Sequence, residues 1–318
     1  MAYLTVMTGF LLMGFSNIWE LQVLHAIFFL LTYLVALKGN MLIFTLISLD
    51  GKLHTPMYFF LKNLSFLDLC LISTTVPKSI ANSLSHSCYI SFLGGVSQLF
   101  LMVLFVASEL YLLTVMSYDR FVAICQPLHY ELIMTTGDCV KMAAASWLSG
   151  ALFGALYSVS IITLPFCGSK DIHQFFCDVP PLLRISCSQT HLVLAVSVAF
   201  GIGIGLFCSI YITISYSHIF STVLKIPARE GRSKAFSTCL PHLIVLMVFI
   251  TTVFIAYLQS PQESVSLLDL LLPMLYTAVP STMNPIIYSL RNKDMKTALM
   301  KLIAWKYFSK GLTPKSFP

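Results

Sequence analysis

Long apolar runs dominate this sequence and leave little choice of fold. Seven stretches are long enough to cross a membrane as an α-helix, which takes about 20 mostly apolar residues. They cover residues 24–48, 57–80, 93–119, 140–162, 193–222, 237–258 and 269–289. Only 10% of all residues are charged, against roughly 25% in soluble domains. We therefore predict an all-α membrane protein, a seven-transmembrane helix bundle.

The distribution of lysine and arginine predicts the orientation of this bundle. Cytoplasmic segments carry an excess of these residues, and an odd number of spans places the two ends on opposite sides. Only Lys170 and Arg184 fall clearly on the amino-terminal side, whereas the tail is rich in lysine. We predict a multi-pass membrane protein with an extracellular amino terminus. The segments are an amino terminus at 1–23, a seven-transmembrane domain at 24–289 and a cytoplasmic tail at 290–318.

The segments outside the spans are short. Residues 4–15 are apolar but too short to cross a bilayer. Residues 292–306 mix apolar and basic residues at helical spacing, which predicts a short amphipathic helix along the membrane surface. No phosphate-binding loop, zinc-ligand spacing or catalytic order of Ser, His and Asp occurs in the sequence. We predict a sensor or a conduit rather than an enzyme.

Two acidic residues lie within the predicted spans, where ionisable groups are costly and often functional. Asp68 follows Pro56 by twelve residues, and Glu109 precedes Arg120 by eleven. At a rise of 1.5 Å per residue both acids lie about 16–18 Å from the inner boundary. Two carboxylates at one depth can share a cation or a proton. Interhelical hydrogen bonding that only holds the bundle together is the alternative.

Lys38 is a third charged residue within a span. It lies too deep in the first helix for its amine to reach water easily. It either pairs with a carboxylate or destabilises the helix. Its position alone assigns it no function.

The inner ends of two spans carry further motifs. Asp119 and Arg120 form an acid-base pair at the end of the third span, where a charge can be held until a partner displaces it. The alternative is that Arg120 only anchors the helix at the inner surface. Anchoring would not explain the neighbouring Asp119. Pro285, in NPIIY, interrupts the seventh helix, which predicts a hinge. A proline kept only for helix packing is the alternative.

Six stretches of the chain match one known pattern. They are GN at 39–40, HTPMYFFLKNLSFLDLC at 54–70, MSYDRFVAICQPLHY at 116–130, SYSHIFSTV at 215–223, KAFSTCLPHL at 234–243 and PSTMNPIIYSLRNK at 280–293. In this order they resemble the olfactory receptors, the odorant branch of the rhodopsin-like G-protein-coupled receptors. The resemblance implies a receptor of the plasma membrane that binds small, neutral, hydrophobic odorants. It also implies activation of a heterotrimeric stimulatory G protein of the olfactory type, which raises cyclic AMP, with membrane lipid and no nucleic acid as further partners.

The resemblance also implies roles for single residues. Asp68 and Glu109 match a buried sodium-type pocket, so a bound sodium ion is the one cofactor expected. The residues that match the G-protein coupling and switch positions are Asp119, Arg120, Tyr216, Asn284, Pro285 and Tyr288. The odorant-binding candidates, in the outer half of the bundle, are Met102, Val103, Val106, Ala107, Tyr157, Phe200, Ile204, Phe254, Tyr257 and Thr277. This lining is mainly apolar and carries no charge, as suits a neutral ligand.

The chain departs from the family pattern in its cysteines. Gly95 stands where the family has the third-span cysteine, so Cys177 lacks its usual partner. Cys88, seven residues upstream, is a substitute partner only if the loop shifts, because disulfide geometry is narrow. Cys167 and Cys187 match the family's other loop disulfide. The amino terminus also lacks the family's Asn-X-Ser/Thr acceptor, and both departures bear on surface expression.

Two other hypotheses remain at this point. A transporter or channel would use Asp68 and Glu109 as an ion path, but such proteins often show internal repeats, and the sequence shows none. A receptor that folds poorly and signals little would follow from Gly95 and the absent glycan site.

Overall fold

A computed structural model describes most of the chain. The described residues are 9–13, 19–85, 87–164, 171–172, 192–225, 229–258, 277–288 and 293–309. For some residues in these ranges, including Cys88 and 253–258, only the backbone is described. The predictions for Cys167, Cys177 and Cys187 lie outside the described residues.

Six long helices correspond to the first six predicted spans. They are α1 at Trp19–Leu49, α2 at Pro56–Leu84, α3 at Phe92–Cys125, α4 at Thr136–Ile162, α5 at Leu192–Lys225 and α6 at Arg229–Leu258. Each contains a stretch long and apolar enough to cross a membrane. Residues 277–288 form α7, the described part of the predicted seventh span. A further helix, α8, covers Lys293–Ser309, where the sequence predicts an amphipathic helix.

Local capping signals set where several helices begin. The Thr135 hydroxyl accepts a hydrogen bond from the Asp138 amide at 3.2 Å, and the Ser91 hydroxyl accepts one from the Gly94 amide at 3.1 Å. These bonds satisfy amides that have no partner within the helix. Pro56 occupies the first turn of α2, where its missing N–H costs nothing.

Small residues allow α3 and α4 to pack closely. A Cβ atom on Gly150 would lie 2.1 Å from the Ser108 hydroxyl and 2.6 Å from the Leu104 carbonyl oxygen. A Cβ atom on Gly154, one turn further along α4, would lie 2.8 Å from the Phe100 carbonyl oxygen. Membrane helices associate mainly through such close van der Waals contact, since lipid offers no hydrophobic driving force.

A three-stranded sheet lies at the predicted extracellular end of the bundle. Its strands are β1 at Gly9–Met13, β2 at Ser87–Ser91 and β3 at Asp171–Ile172, in the order β2-β1-β3. β1 is antiparallel to β2 and parallel to β3. The apolar run at 4–15 therefore supplies a strand. Phe10 and Leu12 on this strand are buried. Through its two pairings, β1 joins the segment before α3 to the segment after α4.

Polar contacts fix α8 against the first inner loop. Lys301 on α8 pairs with Asp50, with 2.8 Å between the amine and a carboxylate oxygen. The hydrogen bond from Lys301 lowers the pKa of the Asp50 carboxyl, and the Lys52 amide adds a second hydrogen bond. The Tyr58 hydroxyl donates to the Asp294 carboxylate at 3.2 Å. The helix after the last span is thus held at the end of the bundle where α1 ends and α2 begins.

Candidate functional site

The two intramembrane acids meet at a single amide. The side-chain nitrogen of Asn284 on α7 donates to Asp68 on α2 at 2.9 Å and to Glu109 on α3 at 3.4 Å. All three side chains are buried. The equal depth predicted from the helical rise therefore corresponds to a real cluster that joins three helices.

This cluster leaves several oxygen atoms without a protein partner. Asp68 Oδ1, Glu109 Oε2 and Asn284 Oδ1 are buried and accept no hydrogen bond within the described part of the chain. Hard cations prefer carboxylate and carbonyl oxygens, so these oxygen atoms suit a small hard cation. No group of three or more His, Cys, Asp or Glu side chains placed to hold a metal occurs in the described segments.

The GN pair at 39–40 supports the proline hinge of α7. A proline has no N–H to donate to the carbonyl four residues earlier, which for Pro285 is that of Ser281. The Asn40 side chain donates to the Ser281 carbonyl oxygen at 2.8 Å. A Cβ atom on Gly39 would lie 2.8 Å from the Pro285 ring. Neither role was among the predictions, although the four-residue spacing of Ser281 and Pro285 indicates a carbonyl that lacks its helical partner.

At the inner end of α3, Asp119 holds Arg120 in place. The Arg120 Nε atom donates to an Asp119 carboxylate oxygen at 3.0 Å, and a second guanidinium nitrogen contacts the same oxygen. The other Asp119 oxygen accepts from the Tyr130 hydroxyl at 2.8 Å. Burial and the negative charge of Asp119 raise the pKa of Tyr130, so its hydroxyl stays protonated and donates. Tyr130 was not among the predicted site residues.

A second polar pair connects α5 and α6. The Tyr216 hydroxyl lies 2.6 Å from the His242 Nδ1 atom, and the two rings stack with centroids 5.8 Å apart. Both side chains are buried. His242 was not among the predicted site residues, although it lies within the KAFSTCLPHL stretch. It follows Pro241, which is inside α6. The predicted switch residue Tyr288 is also buried.

The predicted odorant contacts whose side chains are described fall into three groups by their exposure. Met102, Val103, Tyr157 and Thr277 are buried within the bundle. Val106, Ala107 and Ile204 are half-buried. Phe200 is 55% exposed and packs beside Phe153, with ring centroids 6.1 Å apart, which makes it the least favourable candidate. The side chains of Phe254 and Tyr257 lie outside the described residues.

An open groove of about 450 Å³ lies between α3 and α4. It is lined by Val96, Ser97, Phe100, Leu101, Ala155, Ser158 and Val159. None of these residues belongs to the predicted odorant pocket. Because Leu101 and Val159 are exposed, the groove faces the outside of the bundle, where lipid surrounds the protein.

Comparison with known proteins identifies the family. A family profile described as olfactory receptor matches residues 29–306. The chain belongs to the olfactory receptor family. Olfactory receptor 14A2 of Homo sapiens is 57% identical to this receptor over 307 residues, covering 96% of this chain and 98% of that protein. Olfactory receptor 14A16 of Homo sapiens is 54% identical over 310 residues, covering 98% and 100%.

The fold of this olfactory receptor matches that of a solved receptor structure. Squid rhodopsin superposes with a TM-score of 0.69 at 17% identity, covering 92% of this chain and 88% of that one. The comparison with squid rhodopsin shows the seven-helix fold. Membership of the olfactory receptor family makes the protein a multi-pass membrane receptor rather than an enzyme. The transporter hypothesis receives no support from these comparisons.

Proposed function

We propose that this receptor binds a small, neutral, hydrophobic odorant and activates a stimulatory G protein of the olfactory type, which raises cyclic AMP. The observation that carries the proposal is the buried ion pair of Asp119 and Arg120. The Tyr130 hydroxyl, from the inner loop, donates a hydrogen bond to the Asp119 carboxylate of this pair. A guanidinium held by an adjacent acid at the end of a helix can be released to a partner. An arginine that is held in one conformation and released in another is useful only in a protein that switches between an inactive and an active packing.

The polar contacts within the bundle are suited to a change of packing. Asn284 joins α7 to α2 and α3, and Asn40 satisfies the backbone at the Pro285 hinge. The hydrogen bond between Tyr216 and His242 ties α5 to α6. When α6 moves to admit a G protein, either α5 moves with it or this hydrogen bond breaks. The odorant shifts the equilibrium by its differential affinity for the two packings.

The outer candidates favour an uncharged ligand. Met102 and Val103 offer a buried apolar surface, while Tyr157 and Thr277 add hydroxyl groups that can orient one polar atom. None of the predicted contacts is charged. An amine or a carboxylate would lose its hydration there without gaining an opposite charge. Neutral alcohols, esters and ketones are therefore the expected ligand classes.

A cyclic AMP assay in transfected cells tests this proposal. Cells that display an amino-terminal tag on their outer surface should respond to members of a panel of neutral odorants. Met102→Ala should shift the potency of an active odorant, because this side chain is 1% exposed. The adjacent Leu101→Ala is the control, since Leu101 is 37% exposed and faces lipid. The proposal would be contradicted if no odorant of the panel raised cyclic AMP in cells with receptor present at their surface.

We further propose that Asp68 and Glu109 hold a sodium ion that favours the inactive packing. Replacing sodium with a bulky organic cation at constant ionic strength should raise basal cyclic AMP. Couplings between sites of this kind are typically about 5- to 150-fold. The double variant Asp68→Asn, Glu109→Gln should be insensitive to sodium. Asp138→Asn should behave as the wild type, because the Asp138 side chain is 43% exposed and lies outside the cluster. A basal signal that follows pH but not sodium would instead indicate a shared proton.

A further inference from the structure

Lys38 is a charged residue on the outside of the bundle at membrane depth. It lies on α1, twelve residues before Asp50, which places it about 18 Å from the inner end of that helix. A hydrocarbon core is about 30 Å thick, so Lys38 lies near its middle. The side chain is exposed, and no hydrogen bond or ion pair joins it to any residue that the structure describes.

The exposed residues around Lys38 form one apolar face of α1. Leu31, Leu34, Val35 and Met41 lie three, four or seven positions from Lys38, as residues on one side of a helix do, and all four are exposed. We call these five residues the Lys38 face. The opposite side of α1 carries buried residues, including Asn40, and packs against α2. The Lys38 face therefore has no partner within the described bundle.

Several other charged side chains within the long helices are buried and have polar partners, unlike Lys38. Asp68 and Glu109 are buried and hydrogen-bonded to Asn284, and Arg120 is buried against Asp119. An unpaired amine in hydrocarbon is costly, and such residues mark sites where a charged partner is expected. Lys38 combines this cost with a surrounding surface that can pack against another helix.

We propose that the Lys38 face binds a membrane-spanning helix of a different protein that carries an aspartate or glutamate at the matching depth. A carboxylate attracts an ammonium group strongly where water is excluded. The apolar residues of the face supply the close contacts on which helix association in lipid depends. A lipid headgroup does not reach this depth, and the occupant is therefore a protein side chain.

The described part of a second copy of this chain does not meet the requirement. Asp68 and Glu109, deep within the described spans, and Asp119, at the inner end of α3, are all buried. The exposed acid Glu20 lies near the outer end of α1, about 27 Å along the helix from Lys38. Asp138 lies in the first turn of α4 at the inner end of that helix. No described acid of a second copy is exposed at the depth of Lys38.

The test measures binding of defined transmembrane peptides to the full-length receptor in lipid nanodiscs. A fluorescent polyleucine helix with one central aspartate should bind about tenfold more tightly than the same helix with leucine there. Lys38→Leu should abolish this preference without changing basal cyclic AMP. Moving the aspartate two helical turns along the peptide should also abolish it.

Charge reversal separates an ion pair from a general change in the surface. Lys38→Glu should lose the preference for the aspartate peptide and gain a preference for one with a central lysine. Equal binding of the aspartate and leucine peptides to the wild type would overturn the proposal. It would also be overturned if single-molecule counting in cells showed self-association that depends on Lys38.

Discussion

Gly150→Leu is expected to abolish surface expression of the receptor. A Cβ atom at Gly150 would lie within 2.6 Å of the Leu104 carbonyl oxygen, and the α3 backbone cannot move aside as a flexible side chain would. Overpacking usually costs about 1–3 kcal/mol, and a clash with backbone at the contact between two spans should exceed that range. Because marginal losses of stability already reduce abundance, the variant should be retained inside the cell. Surface immunostaining and thermal unfolding of the detergent-solubilised protein measure the effect.

Gly203→Leu is the matched control for this substitution. A Cβ atom at Gly203, on α5, would meet no heavy atom within 4 Å, and the residue is exposed. Its replacement adds an apolar side chain to a surface in contact with lipid, so expression should match the wild type. Equal surface levels for Gly150→Leu and Gly203→Leu would show that α3 and α4 are not in close contact.

Arg120→Ala is expected to eliminate the odorant-evoked rise in cyclic AMP. Arg120 is the one cation of the Asp119-Arg120-Tyr130 cluster, and no neighbour in that cluster can replace its charge. Removing one partner of a buried ion pair typically costs about 3–5 kcal/mol of stability, so Arg120→Gln should be measured beside it. Both variants should be silent when the signal is normalised to receptor at the surface.

Two further variants make this test specific. Lys141→Ala removes an exposed basic residue near the inner end of α4, paired with Asp138, and should leave signalling intact. Tyr130→Phe removes the hydrogen bond to Asp119 but keeps the ring, and should raise basal cyclic AMP by loosening the cluster. A normal odorant response from Arg120→Ala would exclude Arg120 from G-protein coupling.

The sequence determined the class of fold because the relevant signal is local. A run of about 20 apolar residues needs no distant partner to predict a span, and the six long helices agree with the predicted runs. The depth of Asp68 and Glu109 also followed from the sequence, since the helical rise converts residue number into distance along a helix. The order of the matched motifs, from GN at 39–40 to NPIIY, was likewise sufficient to indicate the family.

Only the tertiary structure decided which side of each helix faces the bundle. Rotation about a helix axis is read from the contrast between apolar and polar positions, and a span that is apolar all round offers little contrast. The exposed position of Phe200 on α5 is an example. Lys38 is another, because its depth could be read from the sequence, whereas its exposure to lipid could not.

Contacts between distant parts of the chain were also beyond the sequence. Asn284 reaches Asp68 across 216 positions, and Asn40 reaches Ser281 across 241. The strand at Gly9–Met13 acquires its role only from pairing with two loops far along the chain. Helical rise and hydrophobic pattern describe each segment alone. The relative placement of the segments arises from side-chain packing, which exists only once all of them have come together.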